Sequence, residues 1–224
     1  MAVNVSISIE NSSGLLVEGL SKAWGAKQVF SDISFFQAAG TIFGVEGDNG
    51  AGKSTLLKIL ASVLSRDKGE VDFQGVSLDN LSQWRSLIGY VPQELALDER
   101  LTVKENIRFW AALRGLEQRE IRQIMLIAAE DRLVADFIDK PIKECSGGMA
   151  RRASLVVGLL TSPQLLLLDE PFSGADQDSR LLMQKRLDFL RSQGSTILIA
   201  SHDQDILKQI CDHTLRLRQG KIVA

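Results

Sequence analysis

Cysteine is scarce in this 224-residue chain: Cys145 and Cys211 are the only two, too few for a disulfide framework and without metal-ligand spacing. A reducing compartment is the simplest setting for such a chain. An excess of charge of one sign is also lacking. A formal net charge of −2 gives no field that would draw the whole chain to nucleic acid or anionic lipid, so no nucleic-acid partner is expected. Long apolar runs are missing as well. The most apolar stretch, Ala153 to Leu168, is interrupted by Gly158, Thr161, Ser162, Pro163 and Gln164, which excludes a spanning helix of about 20 apolar residues. Met1–Glu10 has neither a basic start nor a continuous apolar stretch, so no signal peptide is expected. Low-complexity tracts, long linkers and internal repeats are absent too. What is present is a chain with 45% apolar and 24% charged residues, enough to bury a core without disulfides or structural metals.

Short apolar runs alternating with helical patterns predict an α/β layered domain. Thr41–Glu46, Leu165–Asp169 and Thr196–Ala200 are nearly continuous apolar runs, as strands buried on both faces of a parallel sheet must be. Leu15–Gly19, Val29–Phe36 and Glu70–Phe73 are short and separated by turn residues, which predicts an antiparallel layer beside that core. From Leu101 to Leu160 the period turns helical. Thr102 with Glu105 three residues on is a capping-box pattern, Gly115 marks a stop, a second helix covers Glu117–Ala129, and a third opens near Ser146. This stretch, about residues 95–160, is expected as a helical subdomain inserted into one domain spanning residues 15–224. Residues 1–14 form an extension in which Val3, Val5, Ile7 and Ile9 alternate with polar residues. A half-buried strand and a disordered tail both fit that pattern.

Three motifs carry chemistry. The run Gly47, Asp48, Asn49, Gly50, Ala51, Gly52, Lys53, Ser54 and Thr55 satisfies the phosphate-loop pattern of Gly, four residues, Gly-Lys-Ser. A buried strand precedes it and the amphipathic run Thr55–Leu64 follows. Glycines let the backbone turn its N–H groups on phosphate oxygens, and the helix start adds its positive dipole end. Lys53 supplies a point charge for the β- and γ-phosphates, and Ser54 a hydroxyl for Mg²⁺. The second motif is Leu165–Asp169 followed by Glu170, which places two carboxylates at the C-terminal edge of a strand, where open α/β sheets bind ligands. Asp169 is placed to hold Mg²⁺, and Glu170 to orient or deprotonate an attacking water. The third is Ser146-Gly147-Gly148, opening a helix with Arg151 and Arg152 soon after. It reads as a second anion cradle or as a capped helix with a flexible entry. Two phosphate cradles in one chain imply two sites, or one site closed by two copies.

From Leu15 to Val223 the chain resembles the nucleotide-binding domains of ABC ATPases, with a P-loop NTPase core, an antiparallel β layer and an inserted helical subdomain. Cys145-Ser146-Gly147-Gly148-Met149 is similar to that family's signature, commonly Leu-Ser-Gly-Gly-Gln. The resemblance implies that the signature of one copy closes over ATP held by the phosphate loop of another, so a second copy of the chain is an expected partner. Cys145 and Met149 depart from the pattern, as does Asp48 where the loop usually has proline, but the phosphate-facing Ser146 and Gly148 remain. The resemblance further implies that Gln93 senses Mg²⁺ and that residues 173–176 touch the opposite copy. It also implies that His202 contacts the γ-phosphate and that Trp24 stacks on adenine. By its own character His202 reads more readily as a cap or core histidine, and a buried core tryptophan is the alternative for Trp24.

The functional expectation is an ATP-hydrolysing motor with ATP and Mg²⁺ as cofactors. It would energise a transmembrane permease and reach the cytoplasmic face of the cell membrane only through that partner. DNA-maintenance members of the family insert a coiled coil for which the span from Lys53 to Ser146 has no room, and translation-associated members carry the motif set twice. A stand-alone soluble ATPase of the cluster-assembly type is the alternative. The compact length and Glu105–Trp110 resemble the ATPases of small two-component exporters. Leu95, Leu97, Leu101, Phe109 and Trp110 form a candidate permease-docking segment, with Phe109 and Trp110 equally readable as core.

Overall fold

The computed structural model describes residues 13–223; the alternation in residues 1–12 lies outside the described residues. In chain order the elements are β1 (Gly14–Trp24), β2 (Lys27–Ala38), β3 (Ile42–Glu46), α1 (Lys53–Leu60), β4 (Lys68–Phe73), β5 (Val76–Ser77), α2 (Leu81–Leu87) and β6 (Ile88–Val91). There follow α3 (Val103–Leu113), α4 (Gln118–Glu130), α5 (Gly147–Gly158), β7 (Leu165–Asp169), α6 (Gln177–Ser192), β8 (Thr196–Ser201), α7 (Gln204–Ile210), β9 (His213–Arg218) and β10 (Lys221–Val223). They build a four-stranded antiparallel sheet, β2-β1-β4-β5, and a six-stranded sheet, β10-β9-β3-β8-β7-β6. The latter is parallel from β9 to β6, with β10 antiparallel at its edge.

The apolar strands behave as period-2 elements buried on both faces. Phe43, Val45, Leu165, Leu167, Leu198 and Ala200 pack with α1 and the antiparallel layer, while Ile42, Leu166, Leu168, Ile197 and Ile199 pack with the helices on the other side. Trp84 is wholly buried in the first cluster, and its indole N–H donates to Leu60 O at 2.6 Å, so its one polar atom is satisfied. Sequence reading ends the first strand at Gly19, but the strand continues to Trp24. Gly19 adopts a left-handed φ of 59°, and the register with β2 and β4 shifts around it. The glycine makes a bulge where a turn is expected.

The helical elements follow their caps. Thr102 accepts from Glu105 N while Glu105 reaches back to Thr102 N at 2.8 Å, completing the box at the head of α3. The second helix is shifted by one residue from its expected span, because Glu117 itself serves as its N-cap. α1 stops at Leu60, short of Leu64, since Ser62 takes a positive φ of 55°. Buried Asn106 accepts from Asp98 N and donates to the carbonyls of Asp98, Leu101 and Thr102, fastening the connection from β6 onto α3. Phe109 is exposed rather than core, and Trp110 is half-buried, its indole N–H donating to Ala96 O at 2.8 Å. Leu95 is exposed, whereas Leu97 packs against the second core cluster.

Candidate nucleotide site

The loop from Gly47 to Gly52 joins the C-terminal end of β3 to α1. Gly50 and Gly52 take φ values of 82° and 106°, which glycine adopts without strain. A Cβ on Gly47 would stand 2.4 Å from Leu217 O, so only glycine lets the loop pass there. Lys53 is 6% exposed, with Nζ donating to Gly47 O at 2.7 Å and Asp48 O at 3.3 Å. Asp48 itself is exposed and takes no part in the lysine's contacts beyond its carbonyl.

Two carboxylates stand at the end of β7. Asp169 is 1% exposed; its Oδ1 accepts from Ser54 Oγ at 3.1 Å, while Oδ2 is buried with no hydrogen-bond partner among the described residues. Burial pushes the Asp169 carboxyl above the usual carboxylate range, Ser54 opposes that, and neighbouring Glu170 adds to it. Glu170 has a φ of 48°, in the left-handed region rare for a side chain of this kind. Its Oε2 accepts from Ser201 Oγ at 3.0 Å and its Oε1 from His202 N at 2.9 Å. His202 Nδ1 lies 2.9 Å from the same Oε1, and Lys53 Nζ lies 3.7 Å from it. The imidazole is neither core nor cap, since its side chain is 56% exposed and Asp203 caps α7.

A cleft of about 620 Å³ is lined by Trp24, Asn49, Gly50, Gly52, Lys53, Ser54, Thr55, Gln93 and Glu170, with Gln28, Val29 and Gln219; Asp169 and His202 do not line it and meet it through Ser54 and Glu170. Ala51 is buried beneath the loop. Trp24 is 55% exposed at the rim and is no core residue; Lys22 Nζ sits 5.1 Å from its ring centroid. Lys22 is fixed in turn by Asp67, whose other oxygen accepts from Ala23 N at 2.7 Å. The strand end that carries the indole is thereby pinned.

Ser146, Gly147 and Gly148 do not join this cleft. Ser146 is exposed and caps α5, accepting from Met149 N at 3.2 Å. A Cβ on Gly147 would lie 2.9 Å from Gly174 O, and one on Gly148 would lie 2.5 Å from both Asp176 Oδ2 and Ser179 Oγ. The glycines therefore allow the head of α5 to sit directly on residues 174–179. Sequence reading did not assign Ser201, Gln219 or the contacts of Arg151. Ser201 holds the Glu170 carboxylate, and its only signal is its place before His202 at the end of a strand. Gln219, in the β9–β10 turn, reaches the cleft and carries no signal. Arg151 donates from Nη1 to Gln93 O at 2.6 Å and from Nε to Ser173 O at 3.1 Å; its position one turn into α5 was visible, its partners were not. His213 opens β9 on the surface, outside the cleft lining.

A phosphate loop, a strand-end carboxylate pair and an outward-facing Ser-Gly-Gly helix start now stand on one scaffold. The family model described as "ABC transporter" matches residues 30–173, more than half of the chain. The chain belongs to the ABC transporter family. It is an ATP-binding subunit of that family, and ATP hydrolysis is the activity this membership carries. Among curated relatives in the ABC transporter family, a Nod factor export ATP-binding protein I from Rhizobium sp. (strain N33) is 36% identical over 207 residues. The match covers 92% of this chain and 68% of that relative, and 62% of a namesake from Rhizobium meliloti (strain 1021). The solved structure of an ATP-binding subunit of an ABC transporter superposes with a TM-score of 0.83 at 27% identity, covering 95% of this chain and 89% of that one. That of cbiO1 from Clostridium perfringens, described as part of the ABC transporter complex cbiONQ, gives 0.83 and 27% over 96% and 88%. No helix among the described residues is long and apolar enough to cross a membrane.

Proposed function

We propose that this chain is a Mg²⁺-dependent ATPase that works as a pair of copies. Each ATP is held between the Lys53 loop of one copy and Ser146 of the other. The pair energises a separate transmembrane permease from the cytoplasmic face. The observation that carries the reading is the division of phosphate-binding parts within one chain. The cleft gathers Lys53, Ser54 and Glu170, while Ser146 is exposed and lies outside the cleft lining.

The residues fit the divalent cation. The orphaned Asp169 Oδ2, its carboxyl strained by burial, and the adjoining Ser54 hydroxyl form an oxygen donor set of the kind Mg²⁺ takes, with Gln93 at the opening. When bound, Mg²⁺ neutralises charge gathering on the phosphates. The protein's own part is positional. Lys53 exchanges two loop carbonyls for phosphate oxygens, the N–H groups of residues 50–54 cradle the chain of phosphates, and Trp24 offers its open face to the base. Glu170, fixed by Ser201 and the His202 N–H, keeps one carboxylate oxygen beside the imidazole, where a water can be oriented and its proton taken.

The permease half of the proposal is supported by the relatives' names, which place one in Nod factor export and another in the cbiONQ complex. It is also supported by the exposed Leu95 and Phe109 on the segment that leaves Gln93 for α3. Sedimentation of the Glu170→Gln variant tests the pairing: it is expected to run as a dimer with Mg-ATP and as a monomer without nucleotide. A monomer in both conditions removes the paired reading and leaves the stand-alone ATPase.

A further inference from the structure

We infer that Arg151 is a positioning residue that ties each subunit's own nucleotide cleft to the corner it presents to the partner copy; the inference rests on the paired reading above. Arg151 lies one turn inside α5, past the Ser146 cap. Its guanidinium reaches two loops at once, with Nη1 on Gln93 O at 2.6 Å and Nε on Ser173 O at 3.1 Å. These loops leave the C-terminal ends of the neighbouring parallel strands β6 and β7, and Arg151 is the side chain that hydrogen-bonds to both. Among the described residues the guanidinium forms no ion pair, so its charge is devoted to the two carbonyls. Hydrogen bonds from a charged donor are the stronger kind. Burial works against the charge, while Asp169 and Glu170 support it, which places the guanidinium within the electrostatic reach of the catalytic carboxylates.

The packing of the signature glycines completes the linkage. With Gly147 and Gly148 seated on Gly174, Asp176 and Ser179, the head of α5 and the loop after β7 form one block. Arg151 fastens the Gln93 loop to that block. Gln93 lines the cleft that holds the subunit's own ATP, and Ser146 faces outward to the partner's. A shift of Gln93 on nucleotide binding therefore moves the Ser146 corner, and closure on the partner's nucleotide pulls back on Gln93. Coupling between two sites is reciprocal in this way. Lysine is expected to serve the pair less well, because its single ammonium donates from one point and lacks the planar fork that sends Nη1 and Nε in different directions.

The test uses the full chain with Arg151→Ala and Arg151→Lys, each alone and combined with Glu170→Gln. Thermal melts establish that the variants fold, with the lysine form as the conservative control. ATP affinity of the single chain is expected to stay within about twofold, since Arg151 does not line the cleft. In the Glu170→Gln background the ATP concentration for half-maximal dimerisation is expected to rise about tenfold with alanine, inside the 5–150-fold range typical of site coupling. Without that background, kcat is expected to fall and the Hill coefficient for ATP to drop towards 1, with lysine recovering part of the loss. Dimerisation and Hill coefficient unchanged by Arg151→Ala would overturn the inference, and so would a loss of single-chain affinity, which would make Arg151 part of the cleft. If Glu170→Gln alone never dimerises, the paired reading has failed, and the linkage falls with it.

Discussion

The cleft around Lys53 and the corner around Ser146 both hold backbone N–H groups at a helix start, yet they are built differently. In the cleft, Lys53 and Glu170 are nearly buried and each already has partners: two carbonyls for the ammonium, a hydroxyl, an N–H and an imidazole for the carboxylate. At the corner, Ser146 and Gly147 are exposed, and the serine's one side-chain bond is to its own helix. A site assembled inside one chain is pre-organised by its own packing. A site shared with another copy, as proposed for Ser146, would need an open binding face and a back anchored like Gly148 against Asp176 and Ser179.

The contrast can be broken most forcefully in the cleft. Glu170→Gln is expected to retain ATP binding and to lose about 100- to 10,000-fold in turnover, the contribution of a positioned base. Steady-state hydrolysis by purified protein measures this, and wild-type rates would remove Glu170 from the chemistry. Trp24→Ala is expected to weaken ATP binding by about 1–3 kcal/mol, the worth of one base stacked on an aromatic ring. Titration calorimetry is the cleaner measure, because Trp84 and Trp110 share the fluorescence signal. Ser146→Ala sharpens the other side. Loss of the cap is expected to cost about 1 kcal/mol of stability, with single-chain ATP affinity unchanged and ATP-driven pairing lost, as read by denaturation and sedimentation.

The smallest effect concerns pH. The folded-state pKa of Asp169 is raised by burial, so stability is lost as pH rises from the unfolded-state value to the folded one, and nothing is lost at lower pH where both states are protonated. Asp169→Asn is therefore expected to raise the unfolding midpoint of the chain at pH 7 when no nucleotide is added. The gain should fade as pH falls into the carboxylate range, and Mg²⁺-dependent stabilisation should vanish at every pH. Thermal scans with and without Mg²⁺ follow both effects.

How much of this was legible in the sequence follows physical lines. Strands buried on both faces announce themselves by composition, and Leu165–Asp169 occupies the span expected of it. The phosphate loop is likewise a local pattern, because its glycines, lysine and serine act within nine residues of chain. Gly19 misleads because a glycine's freedom makes a bulge as readily as a stop. Arg151 and Ser201 were hidden for another reason. Their partners are brought close only by neighbouring strand ends of the six-stranded sheet, and no spacing in the chain encodes that proximity.

Lys53 carries a consequence for timing. Its ammonium donates to Gly47 O and Asp48 O, so a phosphate bound there would exchange those contacts for its own oxygens. Such an exchange yields a smaller net gain than the bonds themselves suggest, and the same carbonyls stand ready to take the ammonium back. The expected consequence is a modest net grip on the phosphates, which helps a motor that must empty its site once per stroke, and stopped-flow dissociation of ADP can time the release.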